Sequence, residues 1–250
     1  MGMSQFKDRI AVVTGGTKGI GRAICTHLAE HGAQIACIYG HDHEAAESSR
    51  EEFLMRGYQG KFYHCDVTEP EQILAAVDSV VKEFEKIDIL VNNAGITCDK
   101  TVLKMDIADW HKVLRTNLSS CFYFSKAVLP HMLKQKYGRI INVSSVIGLT
   151  GNIGQANYAS AKAGLFGFTK TLALETARKG ITVNAVAPGF VKTEMVEKIA
   201  PDILERILEH IPMRRLAEPY EVSRVVVFLA EEESSYITGQ IYGINGGLYM

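Results

Sequence analysis

The chain has 250 residues, of which 47% are hydrophobic and 22% are charged, and its formal net charge is −1. This composition is typical of a soluble globular protein with a large core, and the balanced charge argues against nucleic acid or an anionic membrane as a partner. The first residues lack the apolar segment of a signal peptide, and no run of about 18 apolar residues could cross a bilayer. We therefore expect a cytoplasmic protein.

Five cysteines are scattered along the chain, with no C-x-x-C pair and no cluster with histidine at metal-ligand spacing. Such cysteines usually behave as small buried hydrophobic residues in a reducing compartment. The sequence therefore predicts free thiols and no metal site.

Short β-branched segments alternate with longer helical patterns along the whole chain. The predicted strands span 10–14, 34–39, 61–65, 88–91, 139–143, 181–187 and 240–242. The predicted helices span 22–31, 43–55, 69–84, 106–133 with a bend near Pro130, 158–179 and 219–230. Repeated strand–helix alternation predicts parallel strands joined by right-handed crossovers, with helices on both faces. We predict one doubly wound α/β domain over residues 1–250.

The first predicted strand runs into a glycine-rich turn, TGGTKGIG at 14–21. The spacing of Gly15, Gly19 and Gly21 permits a tight turn, close approach of the backbone to a pyrophosphate, and close packing of helix on strand. The next helix offers unpaired N–H groups and a partial positive charge to that pyrophosphate. Between the first strand and first helix of a βαβ unit, the pattern predicts a dinucleotide site. A tight turn without a ligand is the alternative.

The type of dinucleotide is predicted from the end of the second strand. An NAD site usually has a carboxylate there, whereas this strand ends at Tyr39 without one. Lys18 lies inside the turn, where a cation can meet a 2′-phosphate, and His41 can assist it. We therefore favour NADP(H). Asp42, slightly further along, keeps NAD as an alternative, and Lys18 has the alternative of being a solvated surface lysine.

Tyr158 and Lys162 begin a predicted helix four residues apart, so both can address one point on the same helix face. A nearby cation favours the phenolate and lowers the tyrosine pKa from about 10 toward the operating pH. Such a tyrosine can protonate a developing alkoxide or deprotonate an alcohol. The alternative is an amphipathic helix with a snorkelling lysine.

The predicted strand at 139–143 is followed by Ser144 and Ser145. Ligands of parallel α/β sheets lie at the carboxyl ends of the strands, so a serine here can meet Tyr158 and bind a substrate carbonyl. Of the two serines, we favour Ser145.

Together these motifs resemble the short-chain dehydrogenase/reductase family. They are TGGxxGIG at 14–21, NNAG at 92–95, and YxxxK at 158–162 with Ser145 thirteen positions before the tyrosine. The resemblance covers essentially the whole chain. It implies a Rossmann-type parallel sheet of about seven strands and, usually, a homotetramer.

The resemblance also implies roles for four side chains. Tyr158 would be the acid/base, and Lys162 would bind the nicotinamide ribose and lower the tyrosine pKa. Ser145 would polarise the substrate carbonyl. Asn117, within TNLSS, would help to hold a proton-relay water.

Further positions match cofactor contacts of the family. Val191 stands in PGFV, where the family often has PGxI, and Thr193 matches the position that binds the carboxamide. The cofactor-binding residues predicted in addition to Tyr158 and Lys162 are Thr14, Gly15, Thr17, Lys18, Gly19, Ile20, Gly21, Tyr39, His41, Asp66, Val67, Asn93, Ala94, Gly95, Pro188, Gly189, Val191 and Thr193.

A closer resemblance is to the 3-oxoacyl-[acyl-carrier-protein] reductases and acetoacetyl-CoA reductases, carried by NNAGIT, GQANYASAKAGLFGF, GITVNAVAPGFVKTEM and INGGLYM. Both groups reduce a β-keto thioester with NADPH, and the sequence does not separate acyl carrier protein from CoA. Lys136 and the pair at 178–179 match a basic region that carrier-protein reductases present to their acidic carrier. Solubilising surface charge is an equally good interpretation.

The segment at about 190–213 is predicted to be a lid over cofactor and substrate. Gln155 and Phe190 are predicted substrate neighbours, with Ser145 and Tyr158, because they lie beside the tyrosine and the turn after the sixth strand. Loop packing is the alternative for both. Two other functions stay open: an NAD-dependent alcohol or sugar dehydrogenase, and a dinucleotide-binding protein without activity.

Overall fold

The computed structural model describes residues 5–197 and 200–250. These residues form a seven-stranded parallel sheet, as the sequence predicts. The strands are β1 (Ile10–Thr14), β2 (Gln34–Tyr39), β3 (Gly60–His64), β4 (Ile89–Asn92), β5 (Gly138–Val143), β6 (Ile181–Pro188) and β7 (Ile241–Ile244). Each predicted strand is present, with bounds that differ by at most two residues.

Ten α-helices lie within the described residues. They are α1 (Gly19–Glu30), α2 (His43–Met55), α3 (Pro70–Phe84), α4 (Ile107–Leu114), α5 (Ser120–Gln135), α6 (Ile147–Thr150), α7 (Ala156–Thr176), α8 (Glu194–Glu197), α9 (Pro201–His210) and α10 (Pro219–Ala230). None of these described helices is both long and apolar enough to cross a membrane.

The central strands of the sheet are buried on both faces, and their side chains alternate between two apolar layers. In β1, Ala11 and Val13 pack with the buried residues of α1 and α10. Ile10 and Val12 pack on the opposite face with those of α3, α5 and α7. This period-two alternation fits a parallel sheet covered by helices on both sides, so the predicted α/β fold class is confirmed.

The strand order β3-β2-β1-β4-β5-β6-β7 reverses direction between β1 and β4. The chain leaves β1 towards one side of the sheet and leaves β4 towards the other. The loops that follow these strands therefore diverge, and a crevice opens at the carboxyl ends of the strands. The predicted catalytic residues lie on strands, helices or loops that meet at this edge of the sheet.

The predicted helix over 106–133 is wrong as a single regular element. A π-helical turn at Arg115–Ser119 separates α4 from α5, whereas Pro130 lies inside α5. The turn contains the buried Asn117, whose side chain bonds both main-chain polar atoms of Ile96. Such π-turns often mark functional sites. A long-range contact thus accompanies the interruption, and helical periodicity does not encode that contact.

Candidate active site

The turn between β1 and α1 is built on glycines that no larger residue could replace without displacement of the backbone. Gly15 and Gly19 have positive φ angles of 63° and 49°. A Cβ atom on Gly21 would lie 2.0 Å from the carbonyl oxygen of Gly15. The first turn of α1 is therefore in direct contact with the end of β1, and its N–H groups face the crevice.

Thr14 and Asn93 tie together the two loops at the crevice. The Thr14 hydroxyl accepts from the N–H groups of Asn93 (2.9 Å) and Ala94 (3.0 Å). In return the Asn93 amide donates to the carbonyls of Thr14 (2.9 Å) and Gly15 (3.1 Å). Thr14 is buried, so its side chain acts through these bonds, which fix the separation of the loops.

Two adjoining cavities of about 350 and 910 Å³ fill the crevice and share Gly15, Lys18, Ala94 and Gly95. The inner cavity brings together most of the predicted residues, namely Gly19, Ile20, Gly21, Asn93, Ser145, Tyr158, Lys162, Pro188, Gly189, Val191 and Thr193. The outer cavity is lined by four further predicted cofactor residues, Thr17, His41, Asp66 and Val67.

Five predicted residues lie away from the walls of both cavities: the buried Thr14 and Asn117, and Tyr39, Phe190 and Gln155. The ring of Tyr39 packs against His43 and His64, with centroid separations of 5.7 and 5.6 Å. Phe190 lines a separate pocket with residues of the C-terminal loop. Gln155 donates to Asp99 at 2.9 Å. It directly precedes the first residue of α7 and does not line the inner cavity.

Ser145, Tyr158 and Lys162 converge on the inner cavity from β5 and α7. The Ser145 hydroxyl accepts a 3.2 Å bond from the N–H of Ile147, which begins α6. The Lys162 ammonium is buried and donates to the carbonyl of Val143 at 2.7 Å. Its nitrogen lies 5.7 Å from the centre of the Tyr158 ring. The predicted hydroxyl, phenol and amine thus share one wall.

Asn117 joins this group through the loop after β4. Its side-chain oxygen accepts from the N–H of Ile96 (2.9 Å), and its amide donates to the carbonyl of the same residue (2.8 Å). A Cβ on Gly95 would lie 3.4 Å from the Asn117 oxygen and 3.5 Å from the Lys162 ammonium. Gly95 therefore allows the asparagine, the lysine and the cavity to lie side by side.

The pKa directions differ from the expectation for Tyr158. Burial raises the pKa of Tyr158, and a hydrogen bond with Ser145 opposes that effect only in part. Burial also lowers the pKa of Lys162 from 10.5 to about 8. The net direction for Tyr158 is therefore upward, because burial of the phenol outweighs the hydrogen bond with Ser145, and a lowering of the tyrosine pKa by Lys162 stays a prediction.

Asp99 and Glu194 are site residues that the sequence reasoning missed. Asp99 follows the NNAG segment, raises the pKa of Tyr158 by its negative charge, and has its own pKa raised by burial. Glu194 lines the inner cavity and forms a 3.1 Å ion pair with Lys18. Asp99 lies outside the quoted motifs, and Glu194 lies in the stretch GITVNAVAPGFVKTEM without a role assigned from it, so the folded chain reveals both contacts.

The site contains no arrangement of metal ligands within the described part of the chain, where no group of three or more His, Cys, Asp or Glu side chains could hold an ion.

Comparisons with known proteins agree with this geometry. The family described as enoyl-(acyl carrier protein) reductase matches residues 15–249. The 3-oxoacyl-[acyl-carrier-protein] reductases of Escherichia coli and Vibrio cholerae are each 46% identical over 98% of this chain and 99% of their own. That of Staphylococcus epidermidis is 42% identical over 97% of this chain and all of its own. The protein is therefore an oxidoreductase that belongs to the short-chain dehydrogenase/reductase family.

Proposed function

We propose that this protein reduces a 3-oxoacyl thioester to the 3-hydroxyacyl thioester with NADPH. The observation that carries the proposal is the convergence of Ser145, Tyr158 and Lys162 on the cavity that begins at the glycine-rich turn. The names of the relatives, all 3-oxoacyl-[acyl-carrier-protein] reductases, supply the substrate class.

The residues of the crevice fit a dinucleotide. The first residues of α1, Gly19, Ile20 and Gly21, line the inner cavity, and no side chain caps this helix, so its N-terminal N–H groups are available to a pyrophosphate. The cavity on the outer side extends past Lys18 to Asp66 and Val67, where an adenosine would lie. When bound, NADPH supplies the hydride.

The side chains perform the proton chemistry. Ser145 and Tyr158 hold the substrate carbonyl oxygen, and Tyr158 gives its proton to the oxygen as negative charge develops there. The raised pKa of Tyr158 keeps the phenol protonated and ready to donate. Lys162, with a pKa of about 8, changes its charge near neutral pH and can return a proton to the tyrosine. Asn117 holds the backbone of Ile96 beside this route.

The basic residues proposed to contact a carrier protein lie at the opposite edge of the sheet. Lys136 precedes β5, and the turn Ala177–Lys179 precedes β6, whereas Ser145 follows β5. A strand of six residues spans about 20 Å. A carrier protein bound at these exposed cations would therefore not lie at the mouth of the same chain's cavity.

Whether the substrate is bound to CoA or to acyl carrier protein is tested by comparing the rates with acetoacetyl-CoA and with a 3-oxoacyl carrier-protein substrate at a fixed NADPH concentration. If the basic region binds the carrier, Lys136→Glu raises KM for the carrier-bound substrate and leaves KM for acetoacetyl-CoA unchanged. Equal effects on the KM values of both substrates would indicate that these basic residues only keep the surface soluble.

We also propose that the protein is a homo-oligomer, as the family resemblance implies. Large apolar side chains are exposed on α5 and α7, where Phe122 is 47%, Leu133 42% and Leu174 83% exposed. Phe122 and Leu133 border an apolar groove with Phe168 between the two helices. Apolar patches of this kind usually mark protein interfaces.

The proton donor is tested with Tyr158→Phe, and Tyr236→Phe, on a fully exposed side chain, is the control. We expect the first variant to lower kcat by about 10²- to 10⁴-fold, the usual contribution of general acid catalysis, while NADPH still binds. The control keeps full activity. An unchanged rate in Tyr158→Phe would show that Tyr158 is not the proton donor.

The choice of coenzyme is tested separately, by comparing the rates with NADPH and NADH. A preference for NADH with secondary alcohols or sugars would favour the NAD-dependent alternative that Asp42 keeps open.

A further inference from the structure

One ammonium group joins three separate segments at the crevice. The nitrogen of Lys18 lies 2.5 Å from a carboxylate oxygen of Asp42 and 3.1 Å from one of Glu194. Lys18 belongs to the glycine-rich turn, Asp42 precedes α2, and Glu194 begins α8. The turn, the end of the second strand and the predicted lid segment are thereby held together by charge.

Glu194 belongs to a segment that rests directly on the glycine-rich turn. A Cβ on Gly19 would lie 3.1 Å from the methyl group of Thr193. Before this point the segment is anchored elsewhere, because Lys192 donates to the carbonyl of Ala217 and Ala217 donates to that of Phe190, both at 2.9 Å. The packing of Thr193 and the ion pair of Glu194 are therefore its described contacts with the turn.

The local charge opposes the ligand that Lys18 is predicted to bind. Two carboxylates surround one ammonium, so the group carries a net charge of −1 before any phosphate arrives. The carboxylates raise the pKa of Lys18, and Lys18 lowers the pKa of Asp42. A phosphate monoester brings a further charge of about −1.5 to −2, so both carboxylates repel it and compete with it for the ammonium.

Glu194 is the carboxylate that can leave. Asp42 is held in place a second time, because its other oxygen accepts from the N–H of Ala45 and caps α2. Glu194 is 62% exposed and begins a helix of only four residues. The phosphate therefore competes chiefly with Glu194.

We propose that Glu194 weakens the preference for NADPH by competing with the 2′-phosphate for Lys18, so that binding of the phosphate releases Glu194 from the glycine-rich turn. The proposal rests on the proposed use of NADPH. NADH has no 2′-phosphate and leaves the Lys18–Glu194 pair intact. Breaking this ion pair lowers the affinity for NADPH and leaves the affinity for NADH unchanged. Glu194 therefore reduces the preference for NADPH that Lys18 creates.

The competition is measured with 2′,5′-ADP and 5′-AMP, which differ only in the 2′-phosphate, by titration calorimetry on the full-length protein. We expect Glu194→Gln to bind 2′,5′-ADP about two- to fivefold more tightly than wild type, the size of one exposed ion pair, and 5′-AMP with unchanged affinity. Glu205→Gln, an exposed residue of α9, removes the same charge without touching the turn and should match wild type.

The variant Lys18→Met distinguishes a failure of the inference about Glu194 from a failure of the proposed use of NADPH. It should bind both nucleotides with equal affinity, and adding Glu194→Gln to it should change nothing further, since the two residues act through one contact. If wild type itself does not prefer 2′,5′-ADP, the use of NADPH fails. If wild type shows that preference but Glu194→Gln binds 2′,5′-ADP like wild type, or keeps its effect in the double variant, only the inference is overturned.

Hydrogen exchange reports the release of the segment independently of affinity. In wild type, 2′,5′-ADP should speed amide exchange in a peptide covering Val191–Val196, and 5′-AMP should not. Glu194→Gln should exchange as fast without ligand as wild type does with 2′,5′-ADP, and should not respond to it. Slower exchange in wild type with 2′,5′-ADP would contradict release of the segment.

Discussion

Replacing Lys162 by methionine should abolish activity and yet make the folded protein more stable at neutral pH. The ammonium is buried beside the Tyr158 ring, with the Val143 carbonyl as its hydrogen-bond acceptor, and burial lowers its pKa to about 8. Holding a charge in this position costs free energy that a methionine of similar length does not require. A group needed for proton transfer is here a destabilising element of the fold.

The size of the effect follows from the shift in the lysine pKa from 10.5 to about 8. At 1.36 kcal/mol per pKa unit, the charge costs about 3 kcal/mol of stability at pH 7. Methionine cannot form the hydrogen bond to Val143, and this loss subtracts about 1 kcal/mol from the gain. The free energy of unfolding of Lys162→Met should therefore be about 2 kcal/mol higher than that of wild type. Because the folded pKa lies below the unfolded one, wild type binds fewer protons when folded, and its stability rises between pH 8 and 10.5.

Urea unfolding at fixed protein concentration, at pH 7 and pH 9, measures this difference. The advantage of Lys162→Met should shrink by about 1 kcal/mol between the two pH values, because wild type recovers part of the charge penalty. Lys170→Met, an exposed position further along α7, should show no such pH dependence. A variant that is less stable than wild type at pH 7, or an advantage independent of pH, would refute the reasoning.

Two further substitutions test the coenzyme turn and the exposed helical face. Gly21→Ala places a methyl group 2.0 Å from the Gly15 carbonyl and should weaken NADPH binding at least about tenfold in fluorescence titrations. Ala23→Gly in the same helix should keep normal binding, and equal affinities in both variants would contradict the close contact. Leu174→Glu should lower the mass measured by light scattering if α5 and α7 face a second copy. Leu54→Glu, equally exposed on α2, should keep the wild-type mass, whereas an unchanged mass in Leu174→Glu would place the interface elsewhere.

The sequence predicts the frame of the site well because local patterns encode it. Buried parallel strands appear as unbroken apolar runs, and the bounds of β1, β2, α2 and α10 match the prediction. The glycine spacing predicts the turn for a steric reason, since Gly21 must approach Gly15 closely. The serine, the tyrosine and the lysine follow from strand ends and helical spacing, which place them at one edge of the sheet.

Features that depend on distant contacts could not be predicted in this way. The π-turn at Arg115–Ser119 accompanies the bonds between Asn117 and Ile96, two residues from different elements. The helix Pro201–His210 is a different case, because Ile203, Leu204, Ile207 and Leu208 recur at helical spacing and gave a local signal that the prediction of an irregular segment overlooked. At the π-turn, by contrast, the local sequence carries too little of the information that determines the backbone.

The two lysines of the site show why spacing predicts position better than electrostatic effect. Lys162 lies where its four-residue separation from Tyr158 places it, but burial lowers the pKa of Lys162 and raises the pKa of Tyr158. Lys18 lies in the phosphate turn as predicted, but two carboxylates from other segments surround it. A cation acts on a ligand only with the charge that its surroundings leave uncompensated. The burial of one lysine and the ion pairs of the other are properties of the folded chain, and they decide how strongly each lysine can act.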